Sequence, residues 1–295
     1  MLEKYFKQVK AMKKIIIYNP FACNNNGTER TKEEVKKVGI EGDIQYIGIS
    51  LISDKAEFIN SRSDDEQVIL TGGDGTINRF ANELAGRKLN KNVYYLPVGT
   101  GNDFFIDVEN EDGLVVLNKY LADLPTVIVT DKEQKFVNGI GFGIDGYCCE
   151  EGDRLSAAST KPVNYSSIAI KGMLYGFKPV NAVVTVDGVK HEYTKVWLAP
   201  TMHGKYYGGG MKIAPKQDRL ASDKTLSLVV LHGVSNLKAL SVFPKIIKGE
   251  HESLNGIVDI FAGKEITVEF DRPTPLQIDG GTVKDVTTYT ARVSR

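Results

Sequence analysis

Apolar residues are spaced differently in the two halves of this chain, and the change in spacing predicts two kinds of sheet. In the first third, short apolar runs at 15–18, 44–49, 68–70 and 93–96 read as strands. Between them, residues 28–38, 53–62 and 76–85 carry apolar side chains at helical spacing, as Ile77, Phe80, Ala81 and Leu84 do ahead of Gly86. Strand and helix in strict alternation predict a parallel sheet with crossover helices. Leu2, Phe6, Val9 and Met12 add a short N-terminal helix among lysines.

Beyond residue 126 the alternation becomes strand after strand. Residues 126–130, 135–139, 182–186, 189–193, 195–199, 226–231, 258–261, 265–270 and 276–278 all read as strands, with helical spacing mainly at 165–175 and 236–247. Asp187-Gly188 between two alternating runs is a two-residue hairpin signal. The expected fold is α/β: an N-terminal parallel-sheet domain over 1–130, then a β-rich, antiparallel, sandwich-like domain over 131–281.

The predicted strand ending at Thr71 runs into Gly72-Gly73-Asp74-Gly75-Thr76, and a helix opens directly behind. A strand, a glycine turn and a helix N-terminus direct backbone N–H groups and a positive dipole end at one point, which suits a phosphate. A carboxylate there would repel phosphate unless a divalent cation sat between them, so Asp74 argues for a metal–nucleotide complex. A second glycine loop, Pro97-Val98-Gly99-Thr100-Gly101-Asn102-Asp103-Phe104, follows the next strand. Neighbouring parallel strands bring Asp74 and Asp103 to one sheet edge, where open α/β sheets hold their ligands. Either turn alone is ordinary loop chemistry; the pair carries the functional signal.

Composition narrows the field. Lys plus Arg equals Asp plus Glu at 37 each, so no global charge draws the chain to nucleic acid. Three cysteines, Cys23, Cys148 and Cys149, give neither a disulfide framework nor a zinc spacing, and no apolar run is long enough to span a membrane. These features predict a cytoplasmic protein whose membrane contact is peripheral.

The two glycine–aspartate loops resemble those of the diacylglycerol kinase catalytic family, which includes sphingosine kinases and bacterial lipid kinases. Similar segments recur along nearly the whole chain: Asn19-Pro20, residues 136–145, Lys205 to Met211 with Ala214-Pro215, and Leu276 to Gly280. The resemblance implies ATP and Mg²⁺ as cofactors and a lipid hydroxyl as acceptor, entering between the domains. It implies that residues 282–295 return to the first domain. Asn19, Thr71, Gly72, Gly73, Gly75, Thr76, Gly99, Thr100, Gly101 and Asn102 would line the nucleotide. Asp74 and Asp103 would organise the metal with Asp131, and Asp279 joins Asp74 and Asp103 as a catalytic candidate. A homodimer is left open.

Three departures stand out. Ala22-Cys23 replaces the family's Ser-Gly, and Asp223-Lys224 with Ser227 replaces its Asp-Gly and later Asp. Where the family has Asp-Gly-Glu, this chain has Asp279-Gly280-Gly281. The missing glutamate is the family's general base, so a non-catalytic nucleotide- or lipid-binding relative stands as the alternative. Gly141 to Gly146 also spells G-x-G-x-x-G, but no acid follows about 20 residues on and no βαβ pattern surrounds it. His203, beside Gly204-Lys205, is either a cleft residue or a plain loop histidine.

Overall fold

The computed structural model describes residues 12–22, 26–99, 101–108, 113–158 and 163–294. The predicted helix at residues 2–12 lies almost wholly outside that range, as do Cys23 and Thr100. The chain divides into two compact units, Met1–Ala122 and Asp123–Arg295.

In the first unit, five strands lie in the order β2-β1-β3-β4-β5: β1 Lys13–Tyr18, β2 Ile44–Gly48, β3 Glu66–Gly72, β4 Val93–Pro97 and β5 Val115–Val116. The first four are mutually parallel and β5 closes the edge antiparallel to β4. Helices α1 Gly27–Lys37, α2 Lys55–Asn60 and α3 Asp74–Glu83 make the crossovers. Short helices α4 Asp103–Asp107 and α5 Asn118–Leu121 follow β4 and β5. The apolar run of β1 works because all three isoleucines, Ile15 to Ile17, are fully buried. A strand covered on both faces has no polar side to alternate with.

The second unit is one extended antiparallel system in the order β13-β12-β11-β8-β14-β15-β6-β7, with β9 and β10 branching from β14. Its strands are β6 Thr126–Val129, β7 Lys132–Lys135, β8 Gly139–Phe142, β9 Val180–Val186, β10 Val189–Val196, β11 Thr201–Met202, β12 Leu226–Leu231, β13 Val258–Gly263, β14 Glu265–Ile278 and β15 Gly281–Arg292. The fork is built into β14. Its first half, Ile266 to Phe270, pairs with β9, and its last three residues, Leu276 to Ile278, pair with β8. Register shifts between Glu269 and Leu276 accompany Pro273 and Pro275, which have no N–H to give a ladder. At this switch of partners Phe142 of β8 stacks on Phe270 of β14 at 3.7 Å within one buried core. Asp187 and Gly188 have φ of 47° and 84°, the expected type I′ hairpin turn.

Two expectations change. The boundary falls at 122/123, so β6 belongs to the second unit, and β15 pairs with β14 and β6 there. Residues 282–292 therefore belong to the second unit, as the far strand of the β14 hairpin. A fifteen-residue helix, α6 Ile144–Ala158, also stands where no helical pattern was legible. It packs through glycine: a Cβ on Gly146 would meet the Pro275 carbonyl oxygen at 1.8 Å, and one on Gly152 would meet the Tyr165 ring at 2.6 Å. Close approach at glycines replaces the apolar stripe that periodicity detects. Helix α7 Tyr165–Lys171 continues into a π-helical turn, Gly172–Gly176, and α8 Asn236–Lys248 covers the other predicted segment.

Candidate active site

Asp74 sits at the first position of α3, directly after β3 and with Gly73 as N-cap. The turn is tight because Gly72 is wedged under Thr76: a Cβ at residue 72 would lie 2.4 Å from Thr76 Oγ1. The Gly72 carbonyl accepts from Tyr95 Oη at 2.7 Å and from the Val98 N–H at 2.8 Å. These bonds tie the first glycine loop to β4 and to the start of the second. Asp74 then reaches across to that second loop. Its Oδ2 accepts the Asp103 N–H at 2.9 Å and its Oδ1 accepts the Phe104 N–H at 3.0 Å. Helix α4 is thus held at its N-terminus by the acid of the preceding loop. Both loops end at the C-terminal edge of the parallel strands, and Asp74 and Asp103 do come together there.

Asn102 Nδ2 donates to the Gly99 carbonyl at 3.1 Å, closing the second loop, while buried Asn102 Oδ1 has no protein donor. That orphan acceptor, with the carboxylates of Asp74 and Asp103 on the two joined loops, is a donor set that fits a hard cation shared with phosphate oxygens. Mg²⁺ in such complexes takes only one or two protein carboxylates and fills its shell from water and phosphate. Among the described residues, no group of three or more His, Cys, Asp or Glu side chains could hold a metal alone. Asp131 belongs to the second unit. With Thr130 it forms the exposed β6–β7 turn, at φ of 47° and 62°, and turn geometry accounts for it.

The remaining nucleotide candidates separate. Thr71 is fully buried, its hydroxyl 3.1 Å from that of Thr31 and donating to the Ile17 carbonyl at 3.4 Å, so it joins β3 to β1 and α1. Asn19 accepts the Phe21 N–H at 3.1 Å, and its carbonyl passes within 2.0 Å of where a Gly27 Cβ would be. Gly27 lets the Asn19-Pro20 loop close onto the start of α1. Gly75 and Gly99 are exposed and Gly73 and Gly101 half-buried, whereas Thr76 is buried.

Asp279, the third catalytic candidate, is held within the second unit. Its carboxylate accepts from the N–H groups of Val137, Asn138 and Gly139 at 2.5, 2.7 and 3.0 Å. With Gly280 it makes the β14–β15 turn at φ of 46° and 86°. Both oxygens hold the chain between β7 and β8 against this hairpin, an anchoring role. Around the same segment, Arg219 donates to the Val137 carbonyl and, at 2.6 Å, to Asn138 Oδ1, and His203 Nδ1 lies 3.0 Å from the Val137 carbonyl. A carbonyl only accepts, so that nitrogen carries the proton. Arg219 carried no sequence signal.

A buried pair was also missed. The Tyr207 hydroxyl donates to Asp145 Oδ1 at 2.6 Å, and Asp145 Oδ2 has no partner. Burial pushes this carboxyl up to about 7, against the lowering effect of the Tyr207 bond. Burial also pushes the thiols of Cys148 and Cys149 up, the latter to about 12, which fits packing and not redox chemistry.

Comparison with known proteins finds relatives of both units. Residues 13–123 match the diacylglycerol kinase catalytic domain, and residues 138–293 match the YegS C-terminal NAD kinase beta sandwich-like domain. A Bacillus subtilis protein named as a lipid kinase, YtlR, is 25% identical over 235 residues, 73% of this chain and 74% of its own. A Mycobacterium tuberculosis diacylglycerol kinase is 26% identical over 201 residues, 65% and 63% of the two chains. The crystal structure of a diacylglycerol kinase from Bacillus anthracis superposes with a TM-score of 0.59 at 18% identity, covering 98% of this chain and 96% of that one. That likeness speaks for the fold. With both units matched in chain order, this protein belongs to the diacylglycerol kinase catalytic-domain family of lipid kinases.

Proposed function

We propose that the chain is an ATP-dependent lipid kinase that transfers the γ-phosphate to the hydroxyl of a diacylglycerol-like lipid, working at the membrane surface from the cytoplasm. The observation that carries this reading is the Asp74–Asp103 junction, two acids joined on glycine loops at one sheet edge. The exposed turns at Gly75 and Gly99 let phosphate oxygens approach backbone N–H groups. Asp74 and Asp103, with Asn102 Oδ1, would hold Mg²⁺, which supplies charge neutralisation for the transferring phosphoryl group. Phosphoryl transfer depends mainly on positioning and electrostatic stabilisation, so this scaffold supplies most of what the reaction needs.

Gly281 favours a second reading, a relative that binds nucleotide or lipid without turnover. A positioned base is worth about 10²–10⁴ in rate, so its absence slows transfer without abolishing it. The deciding experiment is melting with ATP, with and without Mg²⁺, followed by radiolabelled transfer from ATP to a panel of lipids. The kinase and a nucleotide-binding relative both expect stabilisation by Mg-ATP, and only the kinase labels lipid. No melting change at millimolar Mg-ATP would sink both.

A further inference from the structure

The second unit concentrates unpaired charge and exposed apolar side chains on two helical segments. Residues 165–178 and 236–248 hold five lysines and no acid, in a chain whose net charge is zero. The two segments share one core: Met173 and Phe177 pack in the same cluster as Ala239, Val242 and Ile246. At their junction Asn236 Nδ2 donates to the Leu174 carbonyl at 3.1 Å. Their inner faces are thus spent on folding, and their outer faces are not.

Those outer faces are unusual for a water-facing surface. Tyr175 is 72% exposed and Leu237 is 73% exposed, with Ile170 and Leu174 at 45% and 39%. Lys171, Lys178 and Lys238 are all exposed beside them. The π-helical turn at Gly172–Gly176 is what presents Leu174 and Tyr175 together, while the α8 N-terminus supplies Leu237 and Lys238. Helix α6 brings Asp153 near Tyr165, so that end of α7 falls outside the patch.

Apolar tips with a tyrosine among them, flanked by lysines on segments that carry no acid of their own, match one environment: the headgroup layer of an anionic bilayer. The tips enter the acyl boundary and the ammonium groups stay at the phosphates. We propose that this face, centred on Leu174, Tyr175 and Leu237, docks the protein on anionic membranes. The proposal deepens the lipid-kinase reading by naming the surface through which a bilayer-borne acceptor is reached.

The test is co-sedimentation with vesicles, without nucleotide, so that it does not depend on turnover. Wild type is expected to bind phosphatidylglycerol vesicles, to bind phosphatidylcholine vesicles poorly, and to release from the former as salt rises. The triple variant Lys171→Gln, Lys178→Gln, Lys238→Gln should bind about a hundredfold more weakly, at about fivefold per lysine. The double variant Tyr175→Ser, Leu237→Ser should lose about tenfold or more while keeping the wild-type melting temperature. Equal binding to both vesicle types, or variants that bind like wild type, would overturn the proposal. So would concentration-dependent dimerisation abolished by the double variant with no vesicle binding, which would make the face a self-association surface. Phosphorylation of lipid dispersed in detergent micelles is measured separately. Its absence counts against the kinase reading alone, and its persistence in both variants shows that only docking was removed.

Discussion

Asp74 Oδ2 accepts the backbone N–H of Asp103 at 2.9 Å, so one acid of the proposed metal site fixes the helical turn that carries the other. Asp74→Asn is expected to act twice. It removes the charge that holds the cation, so stabilisation by nucleotide becomes indifferent to Mg²⁺. Its amide group faces one of the two N–H donors of α4, which should cost about 1–3 kcal/mol of stability. Melting of the variant with ATP, plus and minus Mg²⁺, checks both; an unchanged Mg²⁺ response would reduce Asp74 to a turn residue.

Gly75 is exposed in the first turn of α3, where a side chain would stand between the backbone and an approaching phosphate. Wild type at 100 times the dissociation constant of Mg-ATP gains about 2.7 kcal/mol. Gly75→Val should lose that gain while its unliganded melting temperature changes little. A retained shift would place the phosphates elsewhere.

At the hairpin end, the left-handed positions are Asp279 and Gly280, and Gly281 is not among the residues of positive φ. A Cβ there meets only the Ile278 carbonyl oxygen at 3.4 Å, an ordinary contact. Gly281→Glu should therefore fold with a stability change within about 0.5 kcal/mol. If turnover lacks only a base, lipid phosphorylation rises at least about tenfold. Equal inactivity of both proteins, with Mg-ATP binding intact, would favour the non-catalytic relative.

Removing the Asp279 carboxylate strands three buried N–H groups. Asp279→Ala should lose about 3 kcal/mol or more in urea unfolding. A loss below about 1 kcal/mol would contradict the anchoring role.

Asp145 predicts a pH effect of defined sign. Its carboxyl is pushed from 3.8 to about 7 in the folded protein. Below pH 4 both folded and unfolded chains keep the proton, and the residue costs nothing. Between about 4 and 7 the unfolded chain loses the proton first, so stability falls as pH rises; above 7 the loss is complete, about 4 kcal/mol. Asp145→Asn keeps an acceptor for Tyr207 and should match wild type at pH 4 but exceed it at pH 8. Urea unfolding at the two pH values decides it.

How far the sequence foretold this molecule depended on which signals were local. The β1, β3 and β4 runs, the α3 stripe and the Asp187-Gly188 turn are short-range patterns, and each appears as read. The meeting of Asp74 and Asp103 was legible because each sits on the glycine loop that leaves its strand. Helix α6 was hidden by glycine packing at Gly146 and Gly152, which depends on Pro275 and Tyr165, residues not adjacent to them in sequence. Asp279 and Asp131 both stand in tight turns of positive φ, a setting that their local sequence did not report. The partners of Asp279 lie some 140 positions away, and no local pattern reports them.

The pairing of β6 with β15 joins the second unit's first strand to its last, with Thr126 opposite Arg292. During synthesis the first unit can complete its sheet as soon as β5 emerges, since all its strands lie between residues 13 and 116. The second unit has no such option. Residues 126–129 stay without their β15 partner until 290–292 have been made, and closing so long a loop is slow. The nascent chain therefore passes through a stage with a folded first unit and an open, apolar sheet edge behind it, the point at which it most needs protection from aggregation.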